Sequence, residues 1–283
     1  MKAIYEPRGP AREYADLAAN LYRGCGHGCR YCYAPSILRQ TREQFSAAPA
    51  PRKGILDALR KDAMKLAGTD TRVLLSFTSD PYQPIEFHER ITRQAIVILG
   101  RCNIPIRILT KRPEAAIIRD GELLAGFDVE FGTTLCFTHD GDRLQWEPGA
   151  ETVDRRMRGM KMATAAGLST WLSIEPVIDP DQALGVIRAT HESVDVFKIG
   201  KLNHDKEREA LIDWREFLAS ALFLLKDLGA GYYIKDALWD FSDDAIRASY
   251  PRTVATGNGQ LATGDDHDTT NDTTNNNPPT AGR

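Results

Sequence analysis

From residue 53 to residue 250 the chain alternates short β-branched runs with longer amphipathic stretches, and few folds accommodate that pattern. Strands are expected at 72–77 (RVLLSF), 104–109 (IPIRIL), 129–134 (VEFGTT), 169–174 (STWLSI) and 194–199 (VDVFKI). Helices are expected near 53–67, 87–100, 113–125, 151–166, 180–190 and 206–228. A helix between each strand and the next means parallel strands joined by right-handed crossovers. A further strand at about 17–23 brings the count to about six, short of the eight in a closed barrel. An open α/β barrel and a doubly wound sheet both satisfy this pattern. In either one the chemistry belongs at the C-terminal ends of the strands.

Residues 1–252 read as one domain. Residues 253–283 are rich in Thr, Asn, Asp and Gly, with Val254 and Leu261 as their only bulky apolar side chains. Such a segment cannot bury enough surface to offset its ordering entropy, so a disordered tail is expected there. No apolar run approaches the roughly 20 residues of a membrane span. The first twenty residues contain no apolar secretory core. A cytoplasmic protein without a membrane partner is therefore expected. Residues 1–65 carry twelve Lys and Arg against six Asp and Glu, although the whole chain has a net charge of -3. That basic quarter can attract a phosphate-bearing substrate, and solvated arginines on loops account for it equally well.

Three of the five cysteines lie within eight positions, in N20-L-Y-R-G-C25-G-H-G-C29-R-Y-C32-Y-A-P35. In a chain without a secretory signal this clustering points to metal rather than to disulfides. Cys25, Cys29 and Cys32 share one loop, and Gly24, Gly26 and Gly28 let its backbone fold back on itself. Three close thiolates can hold a soft metal or an iron–sulfur cluster. A zinc site needs four ligands, and His27 is the candidate fourth. Structural zinc sites, however, usually draw on two separated pairs of ligands, and the chain has no second pair. Three ligands and a vacancy suit a [4Fe–4S] cluster with one iron open.

The C-x-x-x-C-x-aromatic-C pattern after a strand resembles the signature of the radical S-adenosylmethionine (SAM) superfamily, and NLYRGCGHGCRYCYAP is similar to the branch related to spore photoproduct lyase. The resemblance runs over roughly residues 17–235 and implies an open partial (β/α)6 barrel of the TIM type. It implies that Cys25, Cys29 and Cys32 bind three irons and that SAM chelates the fourth. It places Tyr31 beside the adenine, and Thr78, Ser79 and Asp80 around the SAM amino group. Lys111 would meet the SAM carboxylate, and Thr133 and Thr134 would approach the ribose. Ser173 and Glu175 fall near the adenine side, and Lys198 ends the sixth strand. The implied activity is reductive cleavage of SAM to a 5′-deoxyadenosyl radical, which takes a hydrogen atom from a substrate. A flavodoxin- or ferredoxin-type electron donor is the implied partner, and nucleic acid or a nucleotide is the favoured substrate class. A metal- or cluster-binding sensor without turnover is the alternative.

Two cysteines remain. Cys102 precedes the third expected strand, at the end away from the chemistry, and reads as a structural thiol. Cys136 follows the fourth strand on the active face. It is a candidate hydrogen-atom donor, with core packing as the alternative. Spore photoproduct lyases carry an additional cysteine immediately before the Thr-Ser-Asp that ends the second strand. Here Phe77 stands at that place, in S76-F-T-S-D80. A phenyl ring has no weak S–H bond to give, which argues against thymine-photodimer repair by the lyase's route. Replacing Cys25, Cys29 or Cys32 by Ala should remove the iron and the charge-transfer absorbance of anaerobically prepared protein. Cys102→Ala should retain both.

Overall fold

The structure, a computed structural model, describes residues 2–255. The chain enters through β1 (Ile4–Tyr5) and a 3-10 turn at Gly9–Glu13 into β2 (Leu17–Ala19). It then leaves the main sheet. The short strand β3 (Tyr22–Arg23) pairs antiparallel with β4 (Ala50–Pro51), and the segment between them carries the three clustered cysteines. The strands β5 (Val73–Leu75), β6 (Ile106–Thr110), β7 (Val129–Thr134), β8 (Ser169–Val177), β9 (Val196–Lys201) and β10 (Gly231–Ile234) join β2 in one parallel array. Antiparallel β1 and β11 (Thr253–Val254) border it, giving the order β1-β2-β5-β6-β7-β8-β9-β10-β11. The two edges do not pair with each other, so the sheet is open, in line with a strand count short of a closed barrel.

Alternation along the strands divides the side chains between two environments. Val73, Leu75, Ile106, Ile108, Phe131, Leu172, Ile174, Phe197 and Ile199 belong to the main core, together with Ile96, Leu99, Ile117, Met160, Ile187 and Leu222 of the helices. On the other face Ala18, Leu74, Trp171 and Val196 pack with Tyr14 and Ala15, which arrive from the N-terminal segment rather than from a crossover helix. The inner face of the sheet is thus covered at this level by the chain's own beginning.

Several elements differ from the sequence expectation. The stretch 17–23 is not one strand, because the Asn20 side chain spends its groups on neighbours. Its Oδ1 accepts from the backbone N–H of Phe77 at 2.8 Å and of Thr78 at 3.0 Å, and its Nδ2 donates to Tyr5 Oη at 2.8 Å. The helix expected at 87–100 breaks at Arg90, whose φ is 52°, into Glu86–Glu89 and Ile91–Arg101. The one expected at 206–228 divides into Lys206–Glu209 and Trp214–Asp227, the second capped by the Asp213 side chain. The helix Asp140–Trp146 and the strand β10 were not expected, and β10 raises the parallel strands to seven. Residues 253 and 254, assigned by sequence to the tail, form β11. The rest of that tail expectation falls outside the described residues. Among the described residues no helix is long and apolar enough to cross a membrane.

The loop after β5 is tied to the helix layer by two buried carboxylates. Asp120 accepts from Tyr82 Oη at 3.1 Å, Arg119 at 2.8 Å and Arg93 at 2.5 Å. Glu86 accepts from Arg119 at 2.8 Å and from the Thr92 backbone at 2.9 Å. Removing one partner of a buried pair leaves the other charge uncompensated. Asp120→Ala should therefore lower the unfolding free energy by roughly 3 kcal/mol, read from the midpoint of a urea titration.

Candidate active site

The cysteine loop is shaped by a close backbone approach. Gly24 has a φ of 78°, and a Cβ there would lie 2.6 Å from the carbonyl oxygen of Phe45. Cys25, Cys29 and Cys32 are half-buried and line one pocket with His27, Gly28, Pro35, Arg42, Phe45 and Ser46. Among the described residues no three His, Cys, Asp or Glu side chains converge on a point that would hold a single metal ion. Burial, reinforced by the Asp80 charge, pushes the Cys25 thiol up to about 12, and burial likewise raises that of Cys29. A cationic group that binds these sulfurs as thiolates would offset that cost.

Four contacts hold the loop against the strand ends. Gln83, fully buried, accepts from Gly26 N–H at 2.9 Å and donates to the Gly24 carbonyl at 3.2 Å. His27 is buried, with Nδ1 at 2.9 Å from the Gly149 carbonyl oxygen and Nε2 at 3.0 Å from Asp80 Oδ2. Both ring nitrogens face these partners, so His27 is not a fourth ligand and the zinc alternative loses it. Arg42 donates to the carbonyls of Cys29 and Cys32, at 3.1 Å each. Asp80 also accepts from Tyr82 N–H at 2.8 Å, Thr110 Oγ1 at 2.7 Å and Lys111 N–H at 2.6 Å. Burial opposes the charge on Asp80, but His27 and these donors outweigh it and hold the carboxyl at about 2. Asp80 is thus a junction inside the protein, engaged on both oxygens.

The other predicted residues divide by strand face. Thr134, Ser173 and Lys198 are in register across β7, β8 and β9, on the inner face. Thr133 points the opposite way, and its hydroxyl donates to the Thr110 carbonyl at 2.7 Å. Strand alternation therefore separates the two threonines that the sequence reading placed together. Glu175 is held by Lys235 at 2.8 Å and by Tyr14 Oη at 2.5 Å, and the same hydroxyl lies 2.9 Å from Ser173 Oγ. Lys198 is buried among the rings of Tyr14, Trp171 and Tyr233, each about 5.5 Å from its Nζ. Burial, with the nearby Arg107 and Lys235 charges, drives its basicity well below that of a free lysine. Cys136 lies fully buried in the core just beyond β7, and burial raises its thiol. Thr78 follows Phe77 on the loop pinned by Asn20. The hydroxyls of Ser76 and Ser79 and the indole N–H of Trp171 are buried without a hydrogen-bond partner among the described residues.

Two charged residues at this end were missed from sequence. Glu147 and Arg156 form a fully buried ion pair at 2.5 Å. Glu147 also accepts from the Tyr31 hydroxyl, and Lys111 Nζ lies 5.6 Å from the Tyr31 ring centroid. Burial opposes the Glu147 charge and is outweighed by Arg156 and Lys111. Burial likewise opposes the charge on Lys111, and Cys29 and Glu147 outweigh it. Arg156 further donates to the carbonyls of Glu151 at 3.0 Å and Thr134 at 2.9 Å. The one legible signal was the turn Glu147-Pro148-Gly149, whose glycine backs onto the cysteine loop through Gly149 N–H to the His27 carbonyl at 2.9 Å.

No family model matches the chain. An uncharacterized protein of Methanocaldococcus jannaschii is 25% identical over 182 residues, covering 64% of this chain and 66% of its own length. An uncharacterized protein of Mycobacterium tuberculosis is 28% identical over 190 residues, covering 60% of this chain and 54% of its own length. The matched stretch is thus under two thirds of the length of either relative. Among solved structures, spore photoproduct lyase complexed with dinucleoside spore photoproduct superposes with a TM-score of 0.59 at 16% identity, over 81% of this chain and 78% of that one. Streptococcus suis SuiB bound to S-adenosylmethionine superposes with a TM-score of 0.60 at 10% identity, over 80% of this chain and 52% of that one. The chain shares the fold of these two proteins, in agreement with the fold implied by its cysteine motif.

Because the Glu147 carboxylate faces Arg156 and Lys111 away from water, its neutral isostere should be poorly tolerated. Glu147→Gln is expected to lower the unfolding free energy by about 3–5 kcal/mol, measured by urea denaturation monitored at the tryptophan emission.

Proposed function

We propose that this chain is a radical SAM enzyme that holds a [4Fe–4S] cluster on Cys25, Cys29 and Cys32 and binds SAM across the open ends of the strands. The observation that carries this reading is one pocket lined by three thiols, on a fold shared with enzymes of that kind. A single zinc ion would draw its ligands to about 2.0–2.3 Å from one centre, and no such convergence exists among the described residues. A cluster takes one thiolate per iron, so its ligands stand further apart. The unpartnered hydroxyls of Ser76 and Ser79 supply polar contacts for a ligand at the same end of the sheet.

When bound, the cluster and SAM together supply a one-electron cleavage to methionine and a 5′-deoxyadenosyl radical, which takes hydrogen from a substrate carbon. The residues of the chain do the rest. Lys111, kept charged by Glu147 and by Cys29 once that sulfur is a thiolate, is placed to pair with a carboxylate. Tyr31, anchored by Glu147 and stacked at 6.5 Å on Trp146, offers a fixed aromatic edge for the adenine. Thr134 and Ser173 present hydroxyls on the inner face, where a ribose can be held. Tyr14, Phe77 and Trp171 wall off water beneath.

Nucleic acid or a nucleotide is the substrate class we favour, on the positive charge of residues 1–65. A flavodoxin- or ferredoxin-type protein is the electron donor, and the cytoplasm is the compartment that suits five free cysteines. Phe77 packs edge-on to Tyr14 with ring centroids 6.3 Å apart, so no thiol stands where the lyase returns hydrogen. Repair of spore photoproduct is accordingly not the reaction assigned here.

The test is anaerobic reconstitution with iron and sulfide, reduction with dithionite in the presence of SAM, and assay of 5′-deoxyadenosine. About four irons per chain and 5′-deoxyadenosine formation are expected. In Lys111→Ala the iron should stay while SAM affinity falls roughly tenfold to a hundredfold, the equivalent of about 1.5–3 kcal/mol for a charge-assisted contact. A colourless protein holding one zinc, with no 5′-deoxyadenosine, would instead assign a metal-binding protein without turnover.

A further inference from the structure

Two lysines are buried among the described residues, and their surroundings differ. Lys235 pairs with Glu175 at 2.8 Å and reaches Glu13 at 3.7 Å. Lys198 has no carboxylate within ion-pair distance among the described residues, and its Nζ donates to the Glu13 carbonyl at 3.2 Å. It stands on the inner face of β9, in register with Ser173 of β8 and Tyr233 of β10. A buried ammonium without a counter-ion is costly. Burial, with the Arg107 and Lys235 charges, lowers the basicity of Lys198, so its free amine is populated at a lower pH than that of an exposed lysine. A desolvated lysine beside other cations is an activated nucleophile.

The neighbours supply what an amine needs to react with a carbonyl group. The Tyr14 hydroxyl donates to Glu175 at 2.5 Å and lies 2.9 Å from Ser173 Oγ, while its ring lies 5.5 Å from Lys198 Nζ and 4.6 Å from Lys235 Nζ. A phenol bonded to a carboxylate beside the amine is a route for protons. The Trp171 ring lies 5.4 Å from the same Nζ, and its buried N–H has no hydrogen-bond partner among the described residues, which leaves a donor for an acceptor oxygen. Tyr233, 5.5 Å from Nζ, is itself half-buried, so a single side chain separates the amine from solvent on that side. The geometry points to Lys198 as an imine-forming residue that binds a small 2-oxo acid covalently on the inner face, independently of the cluster and of SAM. The amine nitrogen adds to the carbonyl carbon, and the carbonyl oxygen takes up a proton. A second proton passed through Tyr14 lets that oxygen leave as water while the C=N bond forms, and the nitrogen returns its proton to the same route. Amine and carbonyl thus give imine and water, with no oxidant or reductant. The Arg107 and Lys235 charges favour a ligand that carries a carboxylate.

Glyoxylate is the probe. The full-length folded protein is incubated with glyoxylate and cyanoborohydride, which reduces an imine to a stable secondary amine, and the labelled lysine is located by peptide mass spectrometry. Lys198 should be labelled faster than any exposed lysine, and urea-unfolded protein should lose that preference. In Lys198→Arg the adduct should vanish. Tyr14→Phe, which keeps the ring, should slow labelling roughly a hundredfold. Trp171→Phe should raise the glyoxylate concentration for half-maximal labelling roughly threefold to tenfold. Urea midpoints of the variants establish that they fold, and the map of the unmodified protein decides the matter where one does not. An unlabelled Lys198, or one labelled no faster than exposed lysines, would overturn the proposal and assign a structural cation held by three aromatic faces. Labelling at an unchanged rate in folded Tyr14→Phe would overturn the proton route. Because the readout needs neither iron nor SAM, failure to form 5′-deoxyadenosine would count against the radical SAM reading alone.

Discussion

The carboxylate of Asp80 joins segments from three places in the sequence: the cysteine loop through His27, its own turn through Tyr82, and the end of β6 through Thr110 and Lys111. Gly149 completes the junction from the far side of His27. Every donor points at a group that water cannot reach, so the junction is worth most while Asp80 is ionised. Its low pKa states the same fact as a linkage. The folded carboxyl is depressed below the unfolded value, so its contribution is full above that value and is lost as pH falls toward about 2. The cysteine loop is fixed by β3 and β4, by Gln83 and Glu147, and by this junction, so Asp80 is one determinant of where the three thiols stand.

A second constraint acts from below. The N-terminal segment lays Tyr14 across the inner face, where its hydroxyl meets Ser173 and Glu175 and its ring lies 4.6 Å from Lys235 Nζ. Arg107 bonds the Tyr14 carbonyl, and Glu13 fastens the same segment to Lys235, Arg252 and the Asp236 backbone. Charged residues on the inner face are therefore satisfied by one another and by this segment. Polarity on strands that would otherwise be wholly apolar has a structural reason here, and among the described residues the buried groups with neither a hydrogen-bond nor an ion-pair partner, Ser76, Ser79 and Trp171, point beyond it.

Much of the parallel array was legible because its strands are β-branched runs, buried on both faces and set off by long amphipathic helices. What escaped was set by tertiary contacts. The strand β10 (GYYI) opens on glycine and gains its place from β9 and the antiparallel β11. The stretch 17–23 reads as one strand until Asn20 diverts it, and no local signal announces a side chain bonded to residues 57 and 58 positions away. At the site, the grouping of the three cysteines at one pocket was legible from their spacing. Asp80 and Glu175 were picked out as strand-end residues, and their protein neighbours, His27 and Lys235, were not legible in the sequence. Glu147 and Arg156 were invisible, because nine positions on a polar segment look like solvated charges until the fold brings them together without water.

Phe77 shows how a chemical reading and a packing reading meet at one residue. Its backbone N–H is held by Asn20 and its carbonyl by the Tyr33 hydroxyl at 3.1 Å. Its ring packs with the inner cluster, edge-on to Tyr14. Tyr14 in turn contacts Trp171 at 5.9 Å, and Lys198 sits against both. A smaller, more polar side chain at 77 would expose that aromatic floor and weaken the low-dielectric setting that lowers the basicity of Lys198. The benzyl group is thus required by the layer beneath it. A chain that fills the inner face with Tyr14 and Trp171 has a packing reason for phenylalanine at this position, and the absence of a thiol follows from the architecture of the floor.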